Sequence, residues 1–176
     1  MSIKPLVILP NPLLREVSRP VATVDDRIIE LSNDMLKSMY HASGIGLAAI
    51  QIGVLLRLLV IDITGNDKPK NPRIFINPEV IWRSDEQNIY KEGCLSIPDY
   101  YAEIKRSRKV CVTYIERDGR KKEIEADGLL ATCLQHEIDH LNGILFIDHI
   151  SRLRRDIIIR KFKKKARNIE EGHMAI

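Results

Sequence analysis

The sequence predicts an α+β fold, with mainly antiparallel sheets packed around one central helix and a basic helix at the C-terminal end. Three observations predict it. An early segment has apolar residues at helical spacing. The middle of the chain breaks into short β-branched segments separated by turn signals, and two more helical patterns follow only after those segments. Strands grouped together, rather than alternating with helices, favour antiparallel pairing.

The elements follow in order. The first twenty residues contain Pro5, Pro10, Pro12 and Pro20 and read as an extended arm with turns. Asp25 and Asp26 open a helix whose apolar positions Ile28, Leu31, Met35, Leu36 and Met39 keep the 3.6-residue period, and Ser43-Gly44 stop it. Residues 54–63, rich in β-branched and aliphatic side chains, predict a buried strand. Further strands are expected over 73–76, 80–83, 109–116 and 122–126, with a hairpin turn at Asp118-Gly119 between the last two. Asp127 is placed to cap a helix through Leu141 that ends at Asn142-Gly143. The last helix is expected over about 151–169, with Leu153, Ile157, Phe162 and Ala166 on one side and basic residues elsewhere.

The 176 residues are 44% hydrophobic and 30% charged, a globular balance that excludes wholesale disorder. With only 5% aromatics, the core must rest on Ile, Leu and Val. The most apolar stretch, residues 44–63, carries Gln51, Arg57, Asp62 and three glycines, so a membrane-spanning helix is not expected. The first residues do not resemble a signal peptide, and three cysteines, an odd number, suit a reducing compartment; a cytoplasmic location is expected. Residues 151–176 hold nine Lys or Arg against three acids, leaving the first 150 with 19 basic and 21 acidic groups. Any contact with a polyanion is therefore expected at the tail.

The 127–141 helix contains His136-Glu137-Ile138-Asp139-His140, an H-E-x-x-H pattern. Residues i and i+4 lie one above the other on a helix face, so both imidazoles can bind one metal ion. Glu137 sits beside them, where it can take a proton from a bound water. Leu130, Leu134, Ile138 and Leu141 surround the motif, and burying two His and a Glu without a purpose is costly. Two histidines leave the metal short of ligands. Cys94, His149, His41 and acids are candidates. Cys133 shares the face but lies about 10 Å of helical rise from His140, so it reads as a small apolar residue beside the metal.

Cys94 stands in Glu92-Gly93-Cys94-Leu95-Ser96-Ile97-Pro98, where Gly93 permits a sharp turn. Such a segment can present a thiol and the Leu95 backbone N–H to a neighbouring helix, and it equally suits a buried structural cysteine. In Gly44-Ile45-Gly46-Leu47-Ala48-Ala49-Ile50-Gln51, two glycines suggest close backbone approach, and Gln51 is the lone polar side chain in an apolar run that needs a partner.

Together and in this order, G-I-G-L-A-A-x-Q, E-G-C-L-S and Q-H-E-x-D-H resemble the motifs of peptide deformylases, and the resemblance extends over essentially the whole chain. It implies a metal-dependent hydrolase that removes the N-terminal formyl group from formyl-methionyl nascent polypeptides and releases formate. The central helix would then be the metal-binding one, within a single catalytic domain over residues 1–176. Cys94, His136 and His140 would be the metal ligands, with water in the fourth position. Glu137 would be general base and then acid, and Gln51 with the Leu95 N–H would hold the oxyanion. Ile45 and Gly46 would receive the substrate, with Leu129, Thr132 and Cys133 lining the methionine pocket. The implied metal is Fe2+, replaceable by Ni2+, Co2+ or Zn2+. Similar tails imply ribosome binding through the basic helix. Thr132 stands where relatives often have an aliphatic residue, which is expected to trim affinity for methionine.

Two other readings fit parts of the sequence. The H-E-x-x-H pattern alone suits a zinc endopeptidase. Cys94, His136 and His140 with a fourth protein ligand would instead make the closed site of a non-catalytic, ribosome-associated metal-binding protein. An intact Glu137 argues for catalysis, since a structural site has no use for a base.

Overall fold

A computed structural model describes residues 2–65 and 68–173, with side chains as far as Asn168. The order is a 3₁₀ turn (Pro12–Arg15), α1 (Asp26–His41), β1 (Gly46–Ala48), a second 3₁₀ turn (Ala49–Ile52), β2 (Leu58–Ile61), β3 (Arg73–Arg83), β4 (Gln87–Cys94), β5 (Ile97–Ser107), β6 (Lys109–Ile115), β7 (Lys121–Asp127), α2 (Gly128–Leu141), a third 3₁₀ turn (Phe146–His149) and α3 (Arg152–His173). Five strands form one antiparallel sheet in the order β1-β2-β3-β6-β7, and β4 pairs with β5 in a separate two-stranded sheet. The α+β expectation holds.

The five-stranded sheet lies between two helices. Strand side chains alternate faces, and β2 uses both. Its Leu58 and Val60 pack with Met35 and Met39 of α1, while Leu59 and Ile61 pack with Leu134 and Ile138 of α2. A strand covered on both sides reads as a continuous apolar run, which is why Leu58-Leu59-Val60-Ile61 shows no alternation. A separate core joins Leu9 and Leu14 of the N-terminal arm, Ile97 and Ile104 of β5, Phe146, and Ile158 and Phe162 of α3.

Several elements differ from the sequence reading. The strand expected over 54–63 shrinks to β2, because Gly53 takes a left-handed φ of +85° and Leu56 forms an isolated bridge with Arg19 instead. The two strands expected at 73–76 and 80–83 are one, β3, whose pairing slips around Asn77 with its φ of +50°. Neither β1 nor the β4–β5 hairpin was expected as strand. Asp127 precedes α2 but makes no side-chain cap; its carboxylate instead accepts from Arg108 Nε at 3.3 Å. On α3 the buried positions are Ile158 and Phe162, whereas Leu153 (73% exposed) and Ile157 (44%) face outward. The apolar stripe is thus rotated from the expected one.

Candidate metal centre and its cleft

α2 stacks His136 and His140 one turn apart, both buried, with ring centroids 5.1 Å from each other. β4 reaches them from the other sheet. Its register shifts between Gly93 and Cys94, and this irregularity delivers the thiol to the helix. A Cβ on Gly93 would meet the Tyr101 ring at 2.6 Å, so glycine lets the ring lie against the strand. Cys94 Sγ lies 3.2 Å from His140 Nε2, and donor atoms of Cys94, His136 and His140 all fall within 4.8 Å of one another.

Behind His136 stands a buried ionic chain. His136 Nδ1 is 2.8 Å from Glu92 Oε2, which fixes the ring and leaves Nε2 for a metal. Arg106 donates from Nε and Nη2 to the two oxygens of Glu92 at 2.6 and 3.1 Å, and from Nη1 to Asp139 Oδ2 at 2.8 Å. His149 Nε2 reaches the same Asp139 oxygen at 2.8 Å. Burial would raise the Glu92 carboxyl, yet His136 and Arg106 outweigh it and hold it below the usual range. Burial would likewise lower His136, but its bonds to Cys94 and Glu92 carry it well above an ordinary imidazole. Burial, reinforced by His136, pushes His140 well below.

Glu137 is 4% exposed, and its Oε2 has no hydrogen-bond partner; burial pushes the carboxyl up to about 7. Gln51 is fixed from both ends of its amide. Oε1 accepts from the Ala48 N–H at 2.8 Å, and Nε2 donates to Ser96 Oγ at 3.1 Å while standing 3.5 Å from Cys94 Sγ. Leu95 occupies the turn between β4 and β5. A cleft of about 650 Å³ is lined by Cys94, Leu95, Gln51, His136 and Glu137 together with Ile45, Gly46, Leu129, Thr132 and Cys133; His140 lies behind its wall. Ile45 and Leu129 are half-exposed at the rim, and Thr132 and Cys133 are buried. Gly46 has no room for a side chain: a Cβ there would strike Glu137 Oε1 and lie 2.9 Å from Cys133 Sγ.

The donor set suits a divalent ion. One thiolate and two imidazoles bind Fe, Ni, Co or Zn alike, and the buried, unpartnered Glu137 Oε2 beside them is an acceptor awaiting a proton. Of the other ligand candidates, His41 is exposed at the end of α1, His149 is held by Asp139, and Cys133 stays outside the cluster with Sγ 3.9 Å from the Ile45 carbonyl. The sequence reading missed Glu92, Arg106 and Asp139. Glu92 and Asp139 both lie inside the singled-out motifs, but only the fold brings Arg106 between them.

The polypeptide deformylase family profile matches residues 3–156. A peptide deformylase of Bartonella henselae is 62% identical over 167 residues, 95% of either chain, and one of Rhizobium meliloti is 60% identical over 167 residues, 95% of this chain and 96% of the other. The crystal structure of peptide deformylase from Ehrlichia chaffeensis, solved also in complex with actinonin, superposes with a TM-score of 0.88 at 40% identity, covering 94% of this chain and 98% of that one. On sequence and fold together, the chain belongs to the polypeptide deformylase family.

Proposed function

We propose that this chain carries out its family's reaction, metal-dependent hydrolysis of the formyl group from N-formyl-methionyl peptides, through the residues that meet in the cleft. The observation that supports this most directly is the convergence of Cys94, His136 and His140 beside a buried Glu137 with a free carboxyl oxygen. Cys94 Sγ and the two imidazoles hold the ion, read as Fe2+ with Ni2+, Co2+ or Zn2+ as substitutes. When bound, the ion supplies Lewis acidity and an activated water near neutral pH.

The protein's own groups do the rest. Glu137 takes the proton from the attacking water and passes it to the leaving amine, a role that fits a carboxyl raised by burial. Gln51 Nε2, oriented by Ala48 and Ser96, and the Leu95 N–H donate to the oxygen on which charge develops; losing such a donor typically costs about 10²–10³ in rate. Ile45 and Gly46 receive the substrate backbone, and Leu129, Thr132 and Cys133 line the methionine pocket. The whole chain, residues 1–176, acts as one catalytic domain in the cytoplasm. Anaerobically purified protein should release formate from formyl-Met-Ala-Ser. Glu137→Ala should keep its metal and lose turnover, and an active variant would remove Glu137 from this role. Activity on unformylated casein would instead favour the endopeptidase reading.

The basic helix supports a second role at the ribosome. Arg152, Arg154, Arg160, Lys161, Lys163, Lys164, Lys165 and Arg167 are exposed along α3, while Ile158 and Phe162 anchor it to the body. Phosphate contacts of this kind make binding fall steeply with salt. Reversing Lys163, Lys164 and Lys165 to Glu should abolish co-sedimentation with ribosomes; unchanged co-sedimentation would refute the role.

A further inference from the structure

We propose that the N-terminal arm is a strap that sets the spacing of the two oxyanion donors. Val7 and Leu9 are then positioning residues for the reaction, acting through Gln51 and Leu95. This rests on the deformylase reading and adds to the machinery of that same cleft.

The two donors come from separate elements. Gln51 lies in the 3₁₀ turn that follows β1 of the five-stranded sheet, and Leu95 lies in the turn of the β4–β5 hairpin. The arm bonds to both turns. Val7 N–H donates to the Gln51 carbonyl at 2.7 Å, and Leu9 N–H donates to the Ser96 carbonyl at 2.9 Å. Each acceptor adjoins a donor, since Gln51 carries one on its own side chain and Ser96 follows Leu95. Val7 and Leu9 are two residues apart, a span of about 7 Å at most, so the turns cannot draw apart while both bonds hold. The strap is itself secured. Val7 and Leu9 pack into the core shared with β5 and α3, Leu6 packs against the core that also takes in Leu95, and Lys4 N–H donates to Ser38 Oγ on α1 at 2.8 Å.

Side-chain contacts from Gln51 Nε2 to Ser96 Oγ at 3.1 Å and to Cys94 Sγ at 3.5 Å also cross between the turns. They end on the amide itself, whereas the arm holds the backbone that carries it. Charge developing on the substrate oxygen is stabilised only by donors already in place around it, and a misplacement of about 1 Å can cost about 10²-fold in rate. Leu6 and Ile8 line the cleft between these two bonds, so the strap runs along the site it braces. Losing one bond lets a donor drift from the position the transition state needs. Substrate binding, which rests on other residues of the cleft, is left as it was.

The test deletes one N–H at a time and alters no side chain. In cell-free synthesis of the full chain, Val7 or Leu9 is replaced by its α-hydroxy acid, which turns the amide into an ester. Val21 is the comparison: its N–H donates to Asn77 Oδ1 at 2.8 Å, and neither residue lines the cleft. Assays run below the unfolding range of each protein, read by circular dichroism, keep loss of fold out of the result. On formyl-Met-Ala-Ser, the Val7 and Leu9 esters should each lower kcat by at least about fivefold with KM within about twofold. The Val21 ester should keep kcat within about twofold of wild type. Adding the Val7 ester to Gln51→Ala should lower kcat further by less than about twofold, since the donor it positions is already gone. In cobalt-loaded protein, absorption from the Cys94 thiolate should match wild type in all three esters. Unchanged kcat in both arm esters would overturn the strap, as would an equal loss in the Val21 ester or an undiminished loss on top of Gln51→Ala. A shifted thiolate absorption in the arm esters would overturn it too, by placing the effect at Cys94. Wild type without formate release, after metal reloading, would overturn the deformylase reading and this inference with it.

Discussion

Replacing Glu92 by glutamine tests whether the ionic chain behind His136 sustains both the fold and the metal centre. Three hydrogen bonds converge on this carboxylate, from Arg106 Nε at 2.6 Å, from Arg106 Nη2 at 3.1 Å and with His136 Nδ1 at 2.8 Å. A carboxamide keeps the shape but offers one acceptor oxygen where there were two, and it turns an NH₂ towards a donor. Whichever way it is oriented, at least one charge-assisted bond is lost, worth about 1.5–3 kcal/mol. Arg106, only 6% exposed, keeps one bond to the amide oxygen and has Asp139, at 2.8 Å, as its remaining charged partner in this chain of contacts. Breaking a buried pair in this way costs about 3–5 kcal/mol, because the remaining charge stays desolvated. Urea unfolding of the metal-free protein should therefore show a lower midpoint at unchanged slope. Chelator competition should show metal affinity reduced about 10–100-fold. A loss below about 1 kcal/mol, the range of exposed pairs, with metal affinity unchanged, would refute the reasoning.

Two further substitutions probe other parts. Asp62, 3% exposed, accepts from Tyr40 at 2.6 Å, from the Thr64 and Asn71 N–H groups at 2.9 and 3.1 Å, and from the Thr64 hydroxyl. Burial would raise its carboxyl, but these donors bring it down to about 2. A folded value below the unfolded one stabilises the protein above the unfolded value and is lost as pH falls. Wild type should lose about 2 kcal/mol between roughly pH 4 and 2 that Asp62→Asn does not lose, as measured by urea midpoints over that range; parallel pH profiles would refute it. Gly46→Ala places a methyl group against Glu137 Oε1 and Cys133 Sγ. Formate release should fall at least about 100-fold while far-ultraviolet circular dichroism stays as in wild type, and near-normal kcat/KM would show that the strand can move aside.

Local chemistry is what the sequence made legible. α1 and α2 have apolar residues at helical spacing over several turns, and Asp118-Gly119 marked the β6–β7 hairpin, where Gly119 adopts a φ of +82°. The His136/His140 pair could be read because i and i+4 fix their geometry within one helix. The β4–β5 hairpin could not. Burial alternates along both strands, but the inward face carries Asn88, Glu92 and Arg106 while Ile89 and Tyr101 face outward, so the alternation of burial is not written as one of polar and apolar residues. On α3, three isoleucines in a row at 157–159 leave the buried face undecided until β5 and Phe146 pack against Ile158 and Phe162. Glu92, Arg106 and Asp139 form their network across 14 and 33 residues of chain, and no local pattern encodes such a distance.

The separation of the two cores bears on how the activity can be lost. Cys94 sits against the core built by β5, α3 and the N-terminal arm, whereas α2, with its two histidines and Glu137, belongs to the core of the five-stranded sheet. The proposed ligand set therefore assembles across a seam, joined by the Glu92–His136 and Arg106–Asp139 contacts. Formate release reports the docking of two packed bodies and is lost once the seam parts, even with each body still folded. Loosening the N-terminal arm or α3, tens of residues from the chemistry along the chain, should silence the enzyme at temperatures where amides of the main sheet remain protected from hydrogen exchange.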